Sequence, residues 1–303
     1  MPVPARPIAR FLLHVCLVLA LPWSGAAAAA ADAAPTTAAR SLVAQHQAIA
    51  ARLASSPFGR PVVLDSLELP DGLKGDVYAI VDHPLRAMEQ ALQTPERWCE
   101  ALMLHLNNRR CQVKEEQGHT LLTLSVVGRY DKPVDSAFLL PFVFRMTSAT
   151  PEYMAVQMSA EEGPFGTSNY HVMLEAIPVD AERTFLHFSY AYDHNLMARL
   201  ATQAYLATFG RDKVGFTVLG TLPGGEPDWI RGTRGLVERN AMRYFLAVDA
   251  YLSAIDAPAA QRVDDRLQTW FSSVEKYPRQ LHEIDRATYF DLKREDRLRD
   301  GLR

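Results

Sequence analysis

Apolar residues recur along this chain at two spacings, and their order predicts helices and strands in succession. Residues 39–56 carry Leu42, Ile49 and Leu53 on one helical face, with Pro57 and Gly59 ending the run. Segments 61–69 and 76–83 read as strands about the turn Pro70–Gly75. Two short helices follow, one opened by Pro84 and one by the Thr94-Pro95-Glu96 start signal. A β-rich region comes next, at 119–130, 141–149, 152–160, 168–177 and 183–193. Its connections are short and rich in turn residues, which favours antiparallel pairing. "NNRR" (107–110) reads as a turn ahead of it. Helical spacing returns at 195–210. After a Gly/Pro-rich loop at 221–228 comes the strongest stripe in the chain, over 229–255: Val237, Ala241, Tyr244, Val248, Tyr251 and Ile255, widened by Phe245 and Leu252. A charged helical tail closes the chain. There is no internal repeat.

Strand parity sorts the β residues into two faces. Leu186, Phe188, Tyr190 and Tyr192 oppose Phe185, His187, Ser189 and Ala191. Tyr170, Val172, Leu174 and Ala176 oppose Asn169, His171, Met173 and Glu175, and Met154, Val156 and Met158 oppose Tyr153, Ala155 and Gln157. The first member of each pair of sets is the face expected to meet the long helix.

The N-terminus changes the picture. Arg6 and Arg10 precede the apolar run 11–23, which is short for a membrane span, and a small-residue stretch follows at 24–32. This three-part pattern is that of a secretory signal peptide. Its removal takes two arginines and no acid, moving the formal charge from −3 to −5. A mildly acidic chain has no global electrostatic reason to bind nucleic acid. The expected location is periplasmic or secreted, with no transmembrane segment in the mature chain. Export favours pairing of Cys99 with Cys111, the only cysteines after Cys16, as a staple. The alternatives are a reactive thiol or a metal set of Cys99, His105 and Cys111, which lacks a fourth ligand and matches no common zinc spacing.

The order of elements resembles the START-like, helix-grip superfamily. The resemblance is carried by "GDVYAIVDHPLRAMEQALQTPERWCEAL" (75–102), a strand running into two helices around Trp98, and by "RGTRGLVERNAMRYFLAVDAYL" (231–252), similar to the family's closing helix. It implies an α+β fold in which a curved antiparallel sheet wraps the long helix around an apolar cavity. The organisation then reads as signal peptide (1–31), linker and N-terminal helix (32–59), helix-grip domain (60–255) and charged helical tail (256–303).

Phe188, Tyr190 and Tyr192 are expected to face Tyr244, Val248 and Tyr251 across that cavity. Arg243, and Arg239 one turn before it, would meet an anionic group at the rim. No nucleophile elbow, HExxH, Walker loop or dinucleotide fingerprint occurs, so neither a cofactor nor a catalytic residue is expected. His171 and His187, with Glu175 and Arg145, lie on the polar sheet face, where a carboxylate–imidazole pair can serve as a base or be merely solvated. The expected function is an exported protein holding a lipid-like or other apolar small molecule. The alternatives are a cyclase- or hydrolase-like enzyme using the same cavity, or an envelope protein binding a partner through its tail.

Overall fold

A computed structural model describes Met1 and residues 36–208 and 210–299, so the expected signal peptide lies, Met1 apart, outside the described residues. The elements are α1 (Thr37–Ala54), β1 (Val62–Glu68), β2 (Gly72–Val81), α2 (Leu85–Leu92), α3 (Pro95–Leu102), β3 (Asn108–Glu116), β4 (His119–Val126), β5 (Phe138–Thr150), β6 (Tyr153–Glu162), β7 (Thr167–Pro178) and β8 (Thr184–His194). They continue with α4 (Leu196–Ala207), β9 (Val218–Thr221), β10 (Pro227–Trp229), α5 (Gly232–Leu252), α6 (Ala259–Val274), α7 (Pro278–Leu281) and α8 (Arg286–Arg299).

Eight strands form one antiparallel sheet in the order β1-β2-β8-β7-β6-β5-β4-β3. The short turns of the β region make β3 to β8 a meander. Helices α2 and α3 carry the chain from β2 to the far edge at β3, and β8 returns to pair with β2. The face predicted by parity is the inner one: Leu186, Phe188, Tyr190 and Tyr192 share a core with Val237, Ala241 and Val248 of α5. Gly75 permits the close approach of α5 to β2, because a Cβ there would stand 2.8 Å from the Ala241 Cβ. The outer face is covered by α1, whose Leu42, Ile49 and Leu53 pack on Val63, Tyr153, Ala155, Ile177 and Phe185.

Two expectations change. Residues 108–110 are not a turn: β3 starts at Asn108, and the chain turns at 103–107. The polar run Lys114-Glu115-Glu116 hid this strand, and charge of that kind suits an unpaired sheet edge. The segment beyond 256 is charged and helical, as expected, but it is also part of the core. Leu267, Trp270 and Val274 of α6 and Tyr289 and Phe290 of α8 belong to the cluster that contains α5. The steps of three and four from Val263 through Leu267 and Trp270 to Val274 are an apolar stripe diluted by charges on the other faces.

Candidate functional site

The inner-face tyrosines gather at one end of the sheet. Tyr170 stacks on Tyr192 with ring centroids 5.2 Å apart, and Tyr190 lies 5.7 Å from Tyr192. Tyr190 meets Tyr244 of α5 at 5.4 Å. Tyr244 in turn stacks on His105 at 4.6 Å, His105 lies 6.4 Å from Trp270, and Trp270 stacks on Tyr289 at 4.9 Å. An aromatic column thus runs from the sheet through α5 and the α3–β3 turn into α6 and α8. Burial raises the hydroxyl pKa of Tyr170, Tyr190, Tyr192 and Tyr244, so all four stay protonated at neutral pH. Tyr170 donates to the Thr167 hydroxyl at 2.9 Å.

The structure brings some of the expected residues together and separates others. Tyr190, Tyr192 and Tyr244 belong to one cluster. Phe188 and Val248 are fully buried packing residues, at 0% and 1% exposure. Tyr251 lies apart, under the guanidinium of Arg266 at 3.7 Å, and Arg266 is paired with Glu100 of α3 at 2.7 Å. Arg243 is committed elsewhere: it donates to Glu283 (2.7 Å) and the Leu281 carbonyl (3.2 Å). Arg239 is buried beneath the segment after α4 and donates to the Val214 carbonyl at 3.3 Å. Burial and the charge of Arg243 draw its pKa down to about 10. Tyr190 and Tyr244 thus meet ring to ring. Beside Arg243 and Trp270 a small cleft leaves about 10 Å³, room for roughly one water.

Helix α4 lies over this end, its N-terminus capped by the Asn195 side chain, which accepts from the Ala198 N–H. It buries Ala198 and exposes Leu196, Met197 and Leu200. The segment that follows is held by Glu238 of α5. One carboxylate oxygen accepts from the Phe216 and Thr217 N–H groups at 2.6 and 2.9 Å. The other accepts from the Thr217 and Ser66 hydroxyls at 2.6 and 2.7 Å.

Cys99 and Cys111 form a disulfide with Cα atoms 5.4 Å apart, which removes the metal reading of these two sulfurs. Among the described residues no cluster of three or more His, Cys, Asp or Glu could hold a metal ion, and no helix is long and apolar enough to cross a membrane. The bridge clamps the turn that presents His105 and Asn108. That turn is held from behind by α8: the Tyr289 hydroxyl donates to the Leu104 carbonyl at 2.8 Å, and Lys293 donates to the carbonyls of His105 and Asn108 at 2.7 and 2.8 Å. Sequence reasoning considered His105 only as a metal ligand. Its burial comes from α6 and α8, and no local pattern signals that.

On the outer face His187 is held between two carboxylates, Asp76 at 2.8 Å and Glu175 at 3.4 Å, and stacks on Tyr78 at 4.4 Å. Lys74 pairs with Asp76, and Tyr153 donates to Glu175. His171 and Arg145 are exposed and take no part. Burial pushes the His187 pKa down, but the hydrogen bonds and charges of Asp76 and Glu175 outweigh it and leave the pKa raised. The same contacts outweigh burial at the two carboxyls and lower theirs. A raised imidazole pKa contributes stability that is complete below the unfolded value near 6.5 and is lost as pH rises through the folded value. The lowered carboxyls contribute stability above their unfolded values, lost as pH falls through the folded ones. The melting temperature of the parent is therefore expected to fall on going from pH 6 to pH 8, and His187→Gln to flatten that slope. Equal slopes for the two proteins would show that His187 does not titrate with folding.

No family model matches the chain, and no curated protein matches it. Similar solved structures include norcoclaurine synthase from Thalictrum flavum, 13% identical, covering 49% of this chain and 82% of that one, with a TM-score of 0.32. Zhui aromatase/cyclase from Streptomyces sp. R1128 is 14% identical over 70% of this chain and 96% of that one, with a TM-score of 0.31. Ara h 8.0201 is 11% identical over 63% and 99%, with a TM-score of 0.36. The strand order, the α2–α3 crossover and the long helix α5 packed on the inner face together define an α+β fold of the helix-grip architecture.

Proposed function

We propose that this chain is an exported binding protein that takes a lipid-like or other apolar small molecule between the inner face of β7–β8 and α5. The observation that carries this reading is the gathering of Tyr170, Tyr190, Tyr192 and Tyr244 within an apolar interior. Rings with polar tips suit a site that accepts an apolar body and orients it by a few hydrogen bonds. Entry requires α4 and the segment after it to move away from the end of the sheet. Export is supported by the three-part N-terminus and by the paired cysteines.

A second reading is favoured by the direct contact of Tyr190 with Tyr244 and by the exposed Leu196, Met197 and Leu200 of α4: an envelope protein that binds a partner and holds no ligand. One experiment separates the two. Parent protein purified from a periplasm is expected to carry a lipid in native mass spectrometry and to take up a fluorescent fatty acid. Tyr244→Trp adds volume where Tyr190 and His105 already flank the ring, and is expected to reduce uptake at least tenfold while circular dichroism stays unchanged. Undiminished uptake in the folded variant would move the ligand elsewhere. A bare parent with no uptake would leave the partner-binding reading.

A further inference from the structure

Two polar atoms beside Tyr244 have no partner although they are buried: His105 Nε2 and Asn108 Oδ1. His105 is 6% exposed and Asn108 is 0% exposed. Leaving such a group unsatisfied in the interior is costly, so each calls for an explanation. Their chemical characters follow from their neighbours. The Asn107 N–H donates to His105 Nδ1 at 3.1 Å, so that nitrogen holds the lone pair. Burial, with the charges of Arg243 and Lys293, pulls the imidazole pKa well below its ordinary 6.5, so the ring is neutral. The single ring proton is therefore on Nε2, which is a donor in need of an acceptor. Asn108 Nδ2 donates to the Leu102 carbonyl at 2.8 Å, which leaves Oδ1 as an acceptor in need of a donor.

A group that satisfies both demands accepts one hydrogen bond and donates another while carrying no charge. A carboxylate accepts but does not donate, a phosphate brings a charge, and an ammonium donates but does not accept. A hydroxyl does both. The turn bearing His105 and the start of β3 at Asn108 are also preorganised, by the Cys99–Cys111 bridge on one side and by Tyr289 and Lys293 of α8 on the other. The Leu104, His105 and Asn108 carbonyls are engaged by α8, whereas His105 Nε2 and Asn108 Oδ1 keep free valences, with the Asn108 amide within hydrogen-bonding reach of the Tyr244 hydroxyl. Arg243, the natural candidate for an anionic group, is already committed to Glu283 and the Leu281 carbonyl.

We infer that His105 and Asn108 form a recognition site for a neutral hydroxyl, so that the apolar molecule taken up carries an alcohol or phenol at the end that reaches Tyr244. This inference rests on the binding reading above and specifies the class of ligand. Its test compares 2-naphthol with naphthalene, two probes alike in shape that differ by one hydroxyl, using their own fluorescence. The parent is expected to bind 2-naphthol about tenfold or more tightly than naphthalene, the worth of one buried hydrogen-bonding group made good. 2-Naphthoate should gain no such advantage. His105→Phe keeps a ring against Tyr244 and removes the donor, and is expected to bind both probes with the affinity of naphthalene. His105→Gln restores an N–H near the Nε2 position and should recover part of the preference.

Equal binding of the two probes to the parent would overturn the inference while leaving the binding reading intact, the two atoms then serving a buried water. Binding of neither probe would remove both. A preference that survives in folded His105→Phe would assign the hydroxyl to the tyrosines and overturn the role of His105. Should His105→Phe fail to fold, the parent comparison and His105→Gln decide the matter without it.

Discussion

Asp296→Ala is expected to lower the free energy of unfolding by roughly 3–5 kcal/mol, the usual cost of leaving a buried charge without its partner. Asp296 is completely buried on α8. Its carboxylate accepts from Arg109 Nε at 2.9 and 3.0 Å and from Arg299 at 3.0 Å, with Lys293 3.8 Å away. Arg109 lies on β3 and also donates to the Tyr130 and Lys132 carbonyls. Removing the carboxylate strands the Arg109 guanidinium in the interior and takes away the charge that offsets part of the burial cost of Lys293, whose pKa burial has already brought down to about 7. Urea denaturation of parent and variant measures the loss. The double variant Asp296→Leu with Arg109→Met should recover much of it, because apolar side chains of similar volume commonly replace buried ion pairs at little cost. If Asp296→Ala were as stable as the parent, α8 would not be an integral part of the core. Because α8 also braces the turn bearing His105 and Asn108, the single variant should weaken ligand uptake along with stability.

Glu238→Ala is expected to cost about 3 kcal/mol and to free the segment between α4 and β9. Glu238 is fully buried on α5, and the variant strands two backbone N–H groups, those of Phe216 and Thr217. Each orphaned buried donor costs roughly 1–3 kcal/mol. Glu238→Gln keeps an acceptor oxygen but loses the charge and half the acceptor capacity, so a smaller loss is expected. Hydrogen exchange provides a local readout: amides of residues 213–217 should lose protection in Glu238→Ala well before those of β2 and β8. Unchanged protection at Phe216 and Thr217 would show that other contacts hold the segment. Since α4 leads into this segment, the same variant should speed the uptake and release of a ligand.

Much of the architecture is legible without coordinates. The stripe from Val237 to Tyr251 is helical because steps of three and four place those residues on one side of a 3.6-residue turn. The inner and outer sides of β6, β7 and β8 follow from a period of two. The Cys99–Cys111 disulfide follows from the expectation of export, which favours pairing of the two cysteines. The tyrosine cluster is half legible: Tyr190, Tyr192 and Tyr244 meet, but Tyr251, on the same helical stripe, turns toward α3 and α6, because a stripe around a buried helix has neighbours on more than one side. Charged residues mislead in one direction. Arg239, Arg243, Glu238, Lys293 and Asp296 look like solvated positions in a linear reading, yet all are buried.

Periodicity, caps and turns are properties of neighbouring residues, so they settle which segments become helix or strand and which side of each is apolar. The satisfaction of a buried charge is a property of whatever lies across the core. Arg109 and Asp296 are 187 residues apart, and Ser66 and Glu238 are 172 apart. Only the packed chain decides that a charged C-terminal segment becomes core, that an arginine expected at a ligand rim is bound to Glu283, and that His105 and Asn108 end up buried beside Tyr244 with one donor and one acceptor unspent. Burial is what gives those atoms their significance, and burial is created by elements far away in the chain.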